Sequence, residues 1–131
     1  MKINQKVPAV VWLIVIAILS GFPGSKVPEI PIWQFDKLVH SLMYAVLSGS
    51  LIMAYYQQYR RPEKRSLLYV SLFLFGVFYG GIMEILQYYI FINRSGSWYD
   101  FFANAFGALL GIILFPIVTK LLPINRWFKI D

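Results

Sequence analysis

The chain has 131 residues, of which 59% are hydrophobic, 18% aromatic and only 14% charged. Soluble domains are about 45–50% apolar and about 25% charged, so this composition argues against an ordinary soluble fold, and the length excludes a full catalytic barrel or a two-domain oxidoreductase. Cysteine is absent, which removes disulfides, thiol catalysis and Cys-based metal sites.

Charge placement sets the class. There are 19 uncharged residues between Lys6 and Lys26, 22 between Lys37 and Arg60, and 19 between Asp100 and Lys120. The 28 residues between Arg65 and Arg94 carry a single charge, Glu84. A membrane-spanning helix needs about 20 mainly apolar residues. A soluble bundle would need polar outer faces that these segments lack. The expected fold is therefore all-α, a polytopic membrane four-helix bundle forming one domain over residues 1–131.

The first helix is expected over residues 7–20, with Pro8 tolerated in its first turn. Lys2 and Lys6 ahead of it imitate a signal peptide, but Ser20-Gly21-Phe22-Pro23-Gly24 offers no small-x-small cleavage site, so the helix is expected to stay. Pro23, Pro28 and Pro31 oppose a regular helix in residues 22–35, where Trp33 and Phe35 suit a membrane surface. A second helix is predicted over 36–56, ending in the aromatic group Tyr55, Tyr56 and Tyr59. The basic turn 60–65 follows, then a third helix over 66–92, a tight turn at 93–97 and a fourth helix over 98–122. No internal repeat is present.

The unusual residues are the polar ones. Asp36, His40 and Tyr44, spaced i, i+4, i+8, share one helix face. Glu84 and Gln87 lie on the third helix, and Asp100 and Asn104 open the fourth, with Arg94 in the turn between. At 1.5 Å per residue, Glu84 is expected ~13 Å below Asn93 and Tyr44 ~12 Å below Asp36. A charged side chain at a helix centre costs about 2.5–3.5 kcal/mol, so these groups are expected to face one another or a wet cavity.

The candidate ligand-binding set is Asp36, Lys37, His40, Tyr44, Glu84, Gln87, Arg94, Asp100 and Asn104, with Glu84 or His40 as general base if the protein is an enzyme. The same residues also admit structural roles. They could form a hydrogen-bonded network that fixes helix packing, Asp36 and Lys37 could start a helix, and Ser97-x-x-Asp100 could supply an N-cap and a first-turn acid. Gly76 and Gly80 on the third helix, and Ala103, Gly107 and Gly111 on the fourth, form small-residue stripes expected to pack those two helices together. Asp36, His40, Glu84 and Asp100 offer mixed metal ligands, but there is no HExxH and no second histidine, so no metal and no other cofactor are expected.

The ordered set Asp36-Lys37-x-x-His40-x-x-x-Tyr44, Glu84-x-x-Gln87, Arg94 and Asp100-x-x-x-Asn104-x-x-Gly107-x-x-x-Gly111 resembles the VanZ-like family of bacterial membrane proteins. The resemblance covers about residues 36–111. The family often carries a proline shortly before the arginine, whereas this chain has Phe91-Ile92-Asn93-Arg94. Its founding member is associated with resistance to the glycopeptide teicoplanin, so the resemblance implies a multi-pass protein of the bacterial cell membrane with a cell-envelope role. It implies no particular reaction. Three functions follow as expectations. The first is binding of an anionic lipid or lipid-linked cell-wall-precursor head group in a polar pocket facing the outer leaflet. The second is a small membrane enzyme acting on a lipid-linked envelope substrate. The third is a structural partner of other membrane proteins.

Net charge is +6, from 12 Lys+Arg against 6 Asp+Glu. In a soluble protein such a balance would suggest nucleic acid. Here the basic residues flank apolar segments and set topology instead, so no nucleic-acid partner is expected. Nine of the 12 fall at the chain ends and in the 60–65 turn (Lys2, Lys6, Arg60, Arg61, Lys64, Arg65, Lys120, Arg126 and Lys129), and three fall opposite (Lys26, Lys37 and Arg94). Basic residues accumulate in cytoplasmic loops. Reporter fusions at residue 131 and within the 60–65 turn should therefore both read cytoplasmic, and an external signal from either would reverse the orientation.

Overall fold

A computed structural model describes residues 1–21, 33–91 and 97–130. In chain order the elements are β1 (Ile3–Asn4), α1 (Val7–Gly21), α2 (Trp33–Ala54), α3 (Tyr56–Arg60), α4 (Pro62–Tyr89), α5 (Trp98–Leu121), α6 (Ile124–Trp127) and β2 (Phe128–Lys129). The helices fall where the charge-free segments place them, and their ends differ for local reasons. α2 stops at Ala54 because Tyr55 leaves helical geometry at φ −113°, ψ 38°, and a short separate helix follows. α4 begins at Pro62, four residues before the expected start, because Arg61 is extended and proline is pre-set for the first helical turn. The charged residues behind it, Glu63, Lys64 and Arg65, are good helix formers. At its other end α4 stops at Tyr89, three residues short of the expected 92.

One element departs from an all-α chain. β1 and β2 pair in parallel, Ile3 with Phe128 and Asn4 with Lys129, so both chain ends meet at one end of the molecule. Gln5 Nε2 donates to the Ala54 carbonyl at 3.1 Å, which brings the end of α2, and the basic turn after it, to that same end. Lys37, near the start of α2, stands at the opposite end.

α2 contacts α1, α4 and α5, and its Tyr44, Leu47 and Ile52 form the centre of the core. α1 is tied on by two side-chain hydrogen bonds, Trp12 Nε1 to the Met43 carbonyl at 2.7 Å and Tyr79 Oη to the Leu13 carbonyl at 2.7 Å. The outer faces are apolar. Leu67, Leu74, Phe78 and Ile85 on α4, and Phe102, Phe106, Ile113 and Ile117 on α5, are all exposed. Such a continuous apolar exterior suits lipid rather than water. α2, α4 and α5 are long and apolar enough to cross a membrane, and α1 is a shorter apolar helix of 15 residues. At 1.5 Å per residue α1 covers ~22 Å, less than the ~30 Å hydrocarbon core.

The small-residue stripes pack, but one meets a different partner from the one expected. Gly76 and Gly80 on α4 do face α5: a Cβ at Gly76 would lie 3.1 Å from Ala108 Cβ, and one at Gly80 would lie 3.1 Å from Asn104 Cβ. Gly107 and Gly111 instead face α2, where a Cβ would overlap the backbone carbonyls of Ser41 and Ala45. Ala103 lies on the same α2-facing side, its carbonyl accepting from Ser41 Oγ at 3.1 Å. The i, i+4 stripe specifies that a backbone comes close, but not which one.

This contact generates a direct test. Gly107→Ala should destabilise the protein by about 1–3 kcal/mol through overpacking, although alanine is otherwise the better helix former. Gly49→Ala is the control, since the nearest atom to its Cβ is Phe115 Cδ2 at 3.9 Å. Thermal unfolding in detergent should separate the two, and equal midpoints would mean the α2–α5 contact is not this close.

Candidate functional site

At the end of the bundle away from the chain termini, three helices bring ionisable side chains together. α2 contributes Asp36, Lys37 and His40 from its first two turns. α4 contributes Glu84, and α5 contributes Asp100 and Asn104. The α2–α5 backbone contact sets their spacing, because Lys37 and His40 lie just above Ser41 while Asp100 and Asn104 lie just above Gly107.

Lys37 is the bridge between the two carboxylates at the rim. Its Nζ donates to Asp36 Oδ2 at 3.1 Å and also to Asp100 Oδ1. The Lys37 and Asp100 side chains are 17% and 10% exposed, whereas Asp36 is 57% exposed, so the ion pair to Asp100 is the desolvated one. Below it, His40 Nδ1 lies 2.9 Å from Asn104 Oδ1. Asn104 Nδ2 in turn donates to Glu84 Oε1 at 3.4 Å, which fixes the amide's orientation and makes Nδ1 of His40 the protonated nitrogen in the neutral ring. His40 Nδ1 is 3.9 Å from Glu84 Oε1.

Glu84 is held from a second side. The backbone N–H of Ser97 donates to its Oε2 at 3.1 Å, while the Ser97 hydroxyl caps α5 by accepting from Tyr99 N at 3.2 Å. A carboxylate at a helix N-terminus is favoured both by the free N–H groups and by the helix dipole. Ser97 thus fills the N-cap role its spacing suggests. Asp100 is the acid of the first turn of α5, as that spacing suggests, and its carboxylate also accepts from Lys37. Ser97 also holds a site carboxylate through its backbone, a role that no side-chain pattern reveals.

The structure gathers most of the sequence-derived set and separates part of it. Asp36, Lys37, His40, Glu84, Asp100 and Asn104 form one connected group. Gln87 faces away, donating to the Ser20 carbonyl of α1 at 3.1 Å. Tyr44 is buried in the core beneath the group, against Gly80, and its hydroxyl makes no hydrogen bond among the described residues. Glu84 is therefore level with His40 and Asn104 rather than with Tyr44. The expected depth of Glu84 counts from Asn93, but α4 ends at Tyr89, only five residues beyond it, or ~7.5 Å. Arg94 lies outside the described residues.

A groove of about 510 Å³ runs beside the cluster between α4 and α5. Glu84 and Ser97 form its polar part, and Tyr88, Tyr89, Trp98 and Phe101 supply aromatic walls. The cluster itself is closely hydrogen-bonded, so the access it has through this groove is by way of Glu84.

A family model described as VanZ/LLP1 matches residues 3–119 of the chain. No curated protein and no solved structure matches.

The Lys37–Asp100 ion pair predicts a characteristic double-mutant result. Lys37→Met takes the ammonium from the buried Asp100 carboxylate and should cost about 3 kcal/mol, whereas Asp100→Asn should cost less, because Lys37 keeps Asp36 as a partner. The double variant should lose less than the sum of the two, with a coupling of about 1–3 kcal/mol. Additive losses, read from unfolding in detergent, would show that the pair is not coupled.

Proposed function

The chain belongs to the VanZ/LLP1 family, and on that premise we propose that it binds the polar head of an envelope lipid or a lipid-linked cell-wall precursor. Family and apolar helices together make it a membrane protein of the cell envelope. The observation that carries the reading is the gathering of Asp36, Lys37, His40, Glu84, Asp100 and Asn104 from three helices at the end opposite the basic termini. Ionisable groups at such positions are expensive to keep and mark ligand pathways in membrane proteins. By the basic-residue bias, this end of the bundle faces outward and both chain ends are cytoplasmic, with the protein multi-pass in the bacterial cell membrane.

In this reading the aromatic groove between α4 and α5 takes the upper part of the lipid chain, and Glu84 and Ser97 meet the head group at its polar end. Lys37, held between Asp36 and Asp100, and Arg94, taken from the sequence alone, are the cations proposed to meet an anionic head. Glu84 opens onto the groove while anchored by Ser97 and Asn104, so a catalytic version, with Glu84 or His40 as general base on a bound envelope lipid, uses the same site. Family association extends the proposal to teicoplanin susceptibility, through occupancy of a precursor or lipid at the membrane surface.

Lipid retention tests the binding. The protein purified in mild detergent should carry one class of anionic-headed envelope lipid above its abundance in the membrane, as read by native mass spectrometry. Glu84→Gln should lose that enrichment without losing the fold. Retained lipid matching bulk composition in both proteins would remove the binding proposal. Enrichment that survives Glu84→Gln, together with an unprocessed head group that accumulates only in that variant, would favour the catalytic version.

A further inference from the structure

We propose that Asp36, His40 and Asp100 form a binding site for a divalent transition-metal ion, of the Zn²⁺ or Mn²⁺ class, at the rim of the bundle. The proposal stands apart from the head-group reading and needs no lipid.

The geometry begins with which oxygens are already used. Lys37 takes Oδ2 of Asp36 and Oδ1 of Asp100. The other oxygen of each carboxylate turns to His40: Nε2 lies 3.7 Å from Asp36 Oδ1 and 3.8 Å from Asp100 Oδ2. Those separations are too long for N–H···O hydrogen bonds, which run about 2.7–3.2 Å. They are near the ~3.4 Å that two ligands keep in a tetrahedral site with bonds of about 2.0–2.2 Å. One ligand atom from each of the three residues lies within 4.8 Å of the others.

The histidine supplies the second observation. His40 is 8% exposed, and its Nε2 makes no hydrogen bond among the described residues while aiming between two carboxylates. Its Nδ1 is committed to Asn104 Oδ1, whose own amide nitrogen is committed to Glu84. In the neutral ring the lone pair therefore lies on Nε2, facing the site. Metal-bound histidines are usually oriented in this way, through a hydrogen bond from the other ring nitrogen to an oxygen acceptor. The Asn104–Glu84 pair would serve as that outer support.

Charge points the same way. Among the groups at the rim, Asp36 and Asp100 ionised carry two negative charges against the one positive charge of Lys37, so the ligand set itself is net negative. An imidazole among the ligands selects a transition metal over Ca²⁺ or Mg²⁺, which prefer all-oxygen sites. Three protein ligands leave at least one coordination position open on the rim, where Asp36 is half-exposed.

The test uses the full chain without an affinity tag, in detergent, stripped with a chelator and titrated calorimetrically with Zn²⁺ alone and with Mn²⁺ alone. The expected result is saturable binding of one ion per chain by at least one of the two. Asp36→Asn should weaken that binding by roughly tenfold or more while leaving the metal-free unfolding midpoint unchanged, because the Asp36 side chain is 57% exposed. Co²⁺ bound in place of Zn²⁺ should give a visible absorption band that His40→Gln abolishes. Absence of saturable binding, or binding that Asp36→Asn leaves unaltered, overturns the proposal, and the Asp36 variant decides the matter even if His40→Gln fails to fold.

Discussion

α2 and α5 meet backbone against backbone at Gly107 and Gly111, where any larger residue would run into the carbonyls of Ser41 and Ala45. Contacts on the two helices advance together, four residues at a time, so the helices run in the same direction and in register. One turn above this contact, Ser41 Oγ reaches the Ala103 carbonyl and His40 reaches Asn104. One further turn brings Lys37 to Asp100. A wider separation would place each of these pairs beyond hydrogen-bond reach. The polar cluster is thus a product of helix packing: two residues without side chains, deep in the bundle, determine whether charged groups nearer the end have partners.

Partnering matters because these groups sit at the edge of a low-dielectric region. Lone ionisable groups there would be strongly penalised, whereas satisfied networks hold firmly. Lys37 joins carboxylates from two helices, Asn104 joins His40 to Glu84, and Glu84 is tied to the start of α5 through the Ser97 amide. The network therefore crosses every interface among α2, α4 and α5. Below it the core is mainly apolar, and the hydroxyls of Tyr44 and Ser48 find no partner among the described residues. Among the described residues the connected polar network lies at one end, and the helices beneath it hold its members in register.

Much of this arrangement was readable from spacing. The i, i+4 relation of Asp36 and His40, the isolation of Glu84 in a long apolar run, and the i, i+4 pair Asp100 and Asn104 each mark a face that cannot point at lipid. What spacing could not convey was pairing between helices. A glycine stripe reads the same whichever backbone it meets, and Gly107 meets α2 rather than α4. Gln87 lies three residues from Glu84, close enough to suggest a shared pocket, yet the angular step between them turns it to α1. Depth was misjudged for Glu84 because it depends on where a helix stops, and an aromatic, uncharged run such as Tyr88 to Ile92 contains no stop signal. The β1–β2 pair was illegible for a different reason: two-residue strands made of Ile3-Asn4 and Phe128-Lys129 have no periodicity to detect.

That small strand pair also governs the order in which the molecule can be completed during translation. Ile3 leaves the ribosome well before its partner Phe128. The bonds from Trp12 to Met43 and from Gln5 to Ala54 can form once the second helix has been inserted, so the N-terminal segment is held in place early while its strand edge waits, unpaired, through synthesis of everything that follows. That edge can close only after Phe128 has emerged, and a chain interrupted before that residue would carry an open, adhesive strand at its basic end.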